Sequence, residues 1–333
     1  MAFDKFNFNN LCTALRDPEL VKEEFRYQRR RATLVLQNHV MKHAFLKRHG
    51  EPIDVITQDW DNLIILDACR YDVFAETNWF DGHLEKVISR GSTSDEFMLG
   101  NFRERELHDT IYVTGNGNTE KLKDEDFFTI VKTYDRHEER YRGWMPDHIR
   151  EVTLETHEEY PNKRLIVHFM QPHTPYIGPK ARALRDRLKD EYGFNFKKVD
   201  IISGGESTSE GEWAFSQLRD AARAGYLTQE QLYEVYVENL EVVLGEVERL
   251  LEELDGKSVL TSDHGELLGS EDRFFLPKTY GHPGHTWTPE LRYVPWLEIE
   301  TGPRREVVSE EPIGSDRVDE EAVQANLEAL GYL

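Results

Sequence analysis

Four stretches of the chain place acids or histidines where an apolar run gives out. "NLIILDACRYD" ends its run at Asp67, and "RLIVHFMQPHTPY" carries His168 and His173. "KSVLTSDHGELLG" ends in Asp263-His264, and "YGHPGHTW" carries His282 and His285. Carboxylate oxygens and imidazole nitrogens together suit Zn²⁺ or Mn²⁺, and Mg²⁺ or Ca²⁺ where oxygen dominates. One Asp-His pair alone reads most simply as a cap followed by a surface histidine. Several strand ends of one sheet carrying such groups are a stronger signal, because open α/β sheets gather ligands beyond the carboxyl ends of their strands. Asp263 and His264 therefore read as adjacent ligands of one divalent cation.

Holding these groups together requires a sheet. From about Ile56 the chain alternates apolar strand runs with helical stretches: "NLIIL", "IYVTGNGN", "FFTIVKTY", "RLIVHF", "KSVLT" and "RYVPWLEIE" are the strands. A helical stretch runs from Pro146 to Tyr160. The clearest helix follows Thr228, which forms a capping box with Gln231. Its apolar stripe is Leu232, Val235, Tyr236, Leu240, Val243, Leu244, Val247, Leu251 and Leu254, and Asp255-Gly256 stops it. The alternation predicts a three-layer α/β sandwich with a largely parallel central sheet flanked by helices. Residues 1–50 are expected to form a basic helical segment, 51–302 the α/β catalytic domain, and 303–333 an acidic tail with a short helix near 323–330. Residues 202–213 read as a polar loop.

The motifs come in the order found in the sulfatase-like branch of the alkaline phosphatase superfamily, which the chain resembles from Asn62 to Ile299. The resemblance implies that Asp67, Asp263 and His264 bind one metal. It also implies that His168, His173 and His282, and less directly His285, line an ester pocket or hold a second metal; His282 is carried over as a metal ligand as well. The superfamily places a nucleophile at a helix N-terminus, and "SRGSTSDEFMLGNF" is the matching stretch. By position Ser94 is favoured, both as nucleophile and as metal ligand, with Thr93 second. Thr93 and Glu96 also make a capping box, so plain capping competes for these hydroxyls. A hydroxyl at that place gains acidity from the helix dipole and from a metal.

The chain departs from the pattern in two ways. Formylglycine sulfatases carry Cys or Ser followed by x-Pro-x-Arg, whereas this segment reads "STSDEF". Formylglycine chemistry is thus not expected, and an unmodified Ser or Thr nucleophile is. The second acid usual on the first strand is replaced by Ala68. Arg70 is available to pair an ester oxygen or to bridge Asp72, and Cys69 reads as a packing residue.

Composition bounds the partners. Against 41 basic residues stand 63 acidic ones, a net charge of -22, which repels nucleic acid and fits a protein working in high salt. The basic residues Arg26, Arg29, Arg30, Arg31, Lys42, Lys47 and Arg48 cluster near the N-terminus. They form either a helix docked on the chain's own acidic surface or a peripheral contact with an anionic membrane. The two cysteines form no disulfide framework, and no secretory or spanning segment is evident, so a cytoplasmic location is expected. The expected function is a metal-dependent hydrolase or transferase of a small-molecule or glycan phosphate or sulfate ester. Its alternative is a non-catalytic protein of the same fold that binds an anionic ligand or partner.

Overall fold

The computed structural model describes residues 40–135, 140–194, 196, 217–269 and 278–314. The chain divides into two compact units, 1–50 and 51–333. In the first, residues 40–49 form a helix that carries Lys42, Lys47 and Arg48 and closes with a Gly50 amide to Leu46 carbonyl bond. Arg26, Arg29, Arg30 and Arg31, the loop 202–213 and the segment 323–330 lie outside the described residues.

The second unit is built on a seven-stranded sheet. Its strands are β1 (Asn62–Leu66), β2 (His83–Ile88), β3 (Leu107–Thr114), β4 (Phe127–Lys132), β5 (Arg164–Phe169), β6 (Lys257–Thr261) and β9 (Tyr293–Glu300), in the order β2-β9-β6-β1-β5-β3-β4. A two-stranded ribbon, β7 (Leu267–Leu268) and β8 (Tyr280–Gly281), stands apart from it. The pairs β6-β1, β1-β5, β5-β3 and β3-β4 are parallel, and β9 and β2 add an antiparallel edge. This is the mostly parallel α/β sandwich that the sequence predicts. The unpredicted strand is β2, whose "HLEKVI" alternates no clean apolar face and is largely exposed.

The helices are α1 (Tyr71–Thr77), α2 (Ser94–Asn101), α3 (Pro146–Glu159), α4 (Pro179–Tyr192), α5 (Leu218–Arg223), α6 (Gln229–Leu251) and α7 (Pro289–Arg292). Successive strand side chains point to opposite faces, and the central strands use this to feed two cores. Ile64 and Leu66 join Val73 and Phe74 of α1, Ile149 of α3, Leu188 of α4 and the stripe of α6 on one face. Leu63 and Ile65 join Phe97 and Met98 of α2 with Tyr112 and Phe127 on the other. The capping box at Thr228 forms as expected. The stripe differs at one position: Leu250 is buried and Leu251 only partly so, because the helix turns Leu250 inward one residue earlier.

Register decides the site. Ile65 pairs with His168 on β5 and with Thr261 on β6, so the chain leaves these three adjacent strands at one level. Asp67, His168 and Asp263 thus arise side by side at the carboxyl ends of the sheet.

At the opposite end, residues 303–314 run along the amino ends of the strands. Val308, Glu310 and Ile313 amides donate to the carbonyls of Asn162, His108 and Phe128. The anchor is Lys163, whose buried ammonium bonds Glu310 at 2.7 Å and the Val308 carbonyl at 2.9 Å and lies 3.9 Å over the Phe128 ring. Lys163→Ala should lower unfolding free energy by about 2–4 kcal/mol, since it strips a buried cation from several partners. Glu310→Ala should cost under ~1 kcal/mol, because Glu310 is 60% exposed and its share is screened. Urea denaturation midpoints check the ranking, and equal losses would contradict it.

Candidate active site

Helix α2 begins where the sequence places two competing hydroxyls, and the backbone separates them. Thr93 is extended, and its Oγ1 accepts from the Glu96 amide and donates to Asp95 Oδ1. Thr93 is therefore spent as the cap. Ser94, the first helical residue, is fully buried, with its Oγ 3.4 Å from Asp67 Oδ2 and 3.4 Å from His264 Nε2. Glu96 ties this helix start to the loop before α7. Its carboxylate accepts from the Ser92 amide at 3.0 Å, the His285 amide at 2.5 Å and Arg292 at 3.2 Å.

Asp67, His168, Asp263 and His264 are all at most 0% exposed. The Asn116 amide donates to Asp67 Oδ2 at 2.8 Å. Asp263 Oδ1 is held by the amides of Ala68 at 3.0 Å and His264 at 2.9 Å, and among the described residues Oδ2 has no hydrogen-bond partner. Around that oxygen lie His264 Nε2 at 3.4 Å and His168 Nε2 at 3.7 Å. Burial pushes the Asp263 carboxyl upward. The neighbouring His264 and His168 imidazoles, the Ser94 hydroxyl and the Ala68 amide outweigh it and hold the carboxyl below its ordinary value. Burial lowers His168 to about 4 and His173 to about 3 and takes His282 well below the usual imidazole range, so these rings are neutral.

These residues fit a divalent cation. Two buried carboxylates, a buried hydroxyl and an imidazole face one point. Their separations of 3.4 to 3.7 Å are those of donors sharing one ion. Donors held at about 2.0–2.2 Å from zinc stand about 3.3–3.6 Å apart. The Nδ1 of His264 lies 2.8 Å from the Gly265 carbonyl, which only accepts, so its proton sits there and Nε2 offers a lone pair inward.

Beside this cluster lies a second one. His173 Nε2 and His282 Nε2 stand 3.0 Å apart, and the His282 ring is 4.4 Å from that of His264. The carboxylate of Glu266 completes a group whose ligand atoms all lie within 4.8 Å of one another. Arg219 of α5 approaches Glu266 at 3.9 Å. Burial raises the Glu266 carboxyl above its ordinary value. The loop that carries His173 is pinned by Asn239 of α6, which donates to the carbonyls of Pro172 and His173 at 3.1 and 3.0 Å.

Of the residues expected from sequence, Asp67, Ser94, His168, Asp263 and His264 come together, with His173 and His282 alongside. Two lie apart. Arg70 is turned onto Asp72, with Nε 2.9 Å from Oδ1, because the two sit at the start of one short helix. The His285 side chain is 82% exposed and pairs with Glu96 at 2.8 Å, since its backbone turns at φ 58° and carries the ring outward. Cys69 is buried as expected. Asn116, Glu266, Arg219 and Tyr112 were not anticipated. Glu266 had a signal, standing two residues after His264 in the same motif.

No family model and no curated protein matches the chain by sequence. Solved structures do resemble it. One is the soluble domain of lipooligosaccharide phosphoethanolamine transferase A from Neisseria meningitidis, 13% identical, with a TM-score of 0.42 over 71% of this chain and 75% of that one. Another is the C-terminal periplasmic domain of EcEptC from Escherichia coli in complex with Zn, 14% identical, with a TM-score of 0.42 over 72% of each chain. A phosphonate monoester hydrolase from Silicibacter pomeroyi is 15% identical, with a TM-score of 0.27 over 60% of this chain and 38% of that one. These are likenesses of fold, and the chemistry below is read from the atoms of this chain. Among the described residues, no helix is long and apolar enough to cross a membrane.

Proposed function

We propose that the chain is a metal-dependent hydrolase or transferase of phosphate or sulfate esters, with Ser94 as the nucleophile. The observation that carries this is the placement of one buried hydroxyl, at the first position of a helix, 3.4 Å from both Asp67 and His264. Asp67, Asp263, His264 and Ser94 would hold the cation. A bound divalent ion lowers the pKa of a neighbouring hydroxyl and neutralises charge on the ester oxygens.

The rest falls to the protein. Ser94 O–H is directed at Asp67 Oδ2, a carboxylate able to draw its proton as Oγ attacks phosphorus or sulfur. The helix start favours negative charge on that oxygen. His173 donates its Nδ1 proton to the Thr174 carbonyl at 2.7 Å, so its Nε2 accepts from His282. This pair stands beside the cluster, where it would line the pocket around the ester as the bond from phosphorus or sulfur to the leaving-group oxygen breaks. Asn239 keeps His173 there, and Glu96 keeps the His282 loop against α2.

An unmodified serine in "STSDEF" favours phosphoryl over formylglycine-type sulfuryl chemistry. The purified chain, supplied with Zn²⁺ or Mn²⁺, should turn over an aryl phosphate monoester or diester, and lose that turnover when a chelator is added. Stoichiometric metal with no turnover of any phosphate or sulfate ester would overturn the catalytic reading in favour of an anion-binding protein.

A further inference from the structure

The buried histidines at the cluster differ in what their Nδ1 atoms meet. In His264 and His173 the partner is a backbone carbonyl, at 2.8 and 2.7 Å. A carbonyl only accepts, so Nδ1 carries the proton and Nε2 is a lone pair. His168 is different. Its Nδ1 lies 2.8 Å from the hydroxyl of Tyr112, a group that donates as well as accepts.

Tyr112 sits on β3 and is fully buried, as is His168. Phe102 and Phe127 press on its ring at 5.5 and 5.7 Å, and the ring lies nearly parallel to that of His168, at 4°. Among the described residues, His168 Nδ1 is the one hydrogen-bond partner of the Tyr112 hydroxyl. Were Nδ1 protonated, it would donate to the phenol oxygen, and the phenol proton would be left buried with no acceptor. With Tyr112 as donor the phenol proton is bonded, and the proton of His168 falls on Nε2, where two carboxylates, in place of none, face it. That atom faces Asp67 Oδ2 at 3.8 Å and Asp263 Oδ2 at 3.7 Å.

We infer that Tyr112 fixes His168 as its Nε2–H tautomer, so that His168 is an N–H donor facing both carboxylates and not a ligand of the cation they would hold. The separations are too long for direct hydrogen bonds. The N–H dipole instead offsets the mutual repulsion of two buried carboxylates and keeps their outer oxygens turned to one side, as outer groups do around metals. Tyr112 is a positioning residue that acts through His168. The inference rests on the metal centre proposed above, and on no assumption about which ester is turned over.

The test uses the full chain with ¹⁵N-labelled histidines, loaded with Zn²⁺ and read by long-range ¹H–¹⁵N correlation, with His168→Gln and His264→Gln assigning the two rings. The expected spectrum shows His264 protonated on Nδ1 with a zinc-shifted Nε2, and His168 protonated on Nε2 with no zinc shift. Tyr112→Phe, which removes one oxygen, should move His168 toward the Nδ1–H form. It should weaken Zn²⁺ binding about tenfold or more in competition with a chromophoric chelator. His168→Gln, whose amide keeps an N–H near the same place, should bind Zn²⁺ more tightly than His168→Leu. A zinc-shifted His168, or a Tyr112→Phe variant with unchanged tautomer and affinity, would overturn the inference. Zinc binding with this spectrum but no ester turnover would leave it standing and sink the catalytic reading. Failure of the parent chain to bind zinc would sink the ligand assignment together with the metal centre.

Discussion

Ser94→Ala should lower ester turnover by about three orders of magnitude or more, because a covalent path loses its attacking atom. Folding should change by no more than about 1 kcal/mol, since the cap of α2 is Thr93 and stays in place. The paired variant Thr93→Ala should show the reverse: a loss of about 1 kcal/mol of stability with the chemistry largely kept. Rates under single-turnover conditions and urea midpoints separate the two. If Thr93→Ala abolishes turnover and Ser94→Ala does not, the nucleophile is misassigned by one residue. If neither reduces turnover, neither Ser94 nor Thr93 is the nucleophile.

Asp263→Asn should lower affinity for Zn²⁺ by about 100-fold or more, since a neutral amide replaces one of two carboxylates in a buried site. The backbone amides of Ala68 and His264 keep an oxygen acceptor at Oδ1, so the strand end should hold its shape. The loss should also appear in stability. A cation at 100 times its dissociation constant stabilises the native chain by about 2.7 kcal/mol, and that increment should vanish in the variant at the same metal concentration. Calorimetric titration and thermal unfolding with and without Zn²⁺ measure both. Equal metal-dependent stabilisation in the parent and in Asp263→Asn would place the cation elsewhere.

The clustered acids that sequence made visible share one property: they follow an apolar run. Asp67 ends "NLIIL" and Asp263 follows "KSVLT", and those strands are neighbours in the sheet, so strand ends in sequence became a cluster in space. Ser94 against Thr93 was not decidable from spacing, because both fit a helix start. The distinction lies in one backbone turn, with Thr93 extended at φ -146° and Ser94 already helical. Tyr112 carried no signal at all. In "IYVT" it reads as one more core residue of a strand, and its role depends on β3 lying beside β5. Arg70 and His285 were drawn to the site by their charge and their motif. In the structure Arg70 bonds Asp72 two residues away, and a left-handed turn carries the His285 ring outward. Residues 303–314 read as an acidic tail, yet Arg304 and Arg305 bind Asp59 and Asn62 and draw the segment against the strand ends.

Anomalous diffraction from crystals grown with Zn²⁺, recorded on both sides of the zinc absorption edge, tests the metal centre most directly. The expected result is a strong peak in contact with Asp67, Ser94, Asp263 and His264, with the Ser94 oxygen among its nearest atoms. A peak that touches none of these four residues, or no peak above background at a zinc concentration that saturates solution binding, would contradict the account.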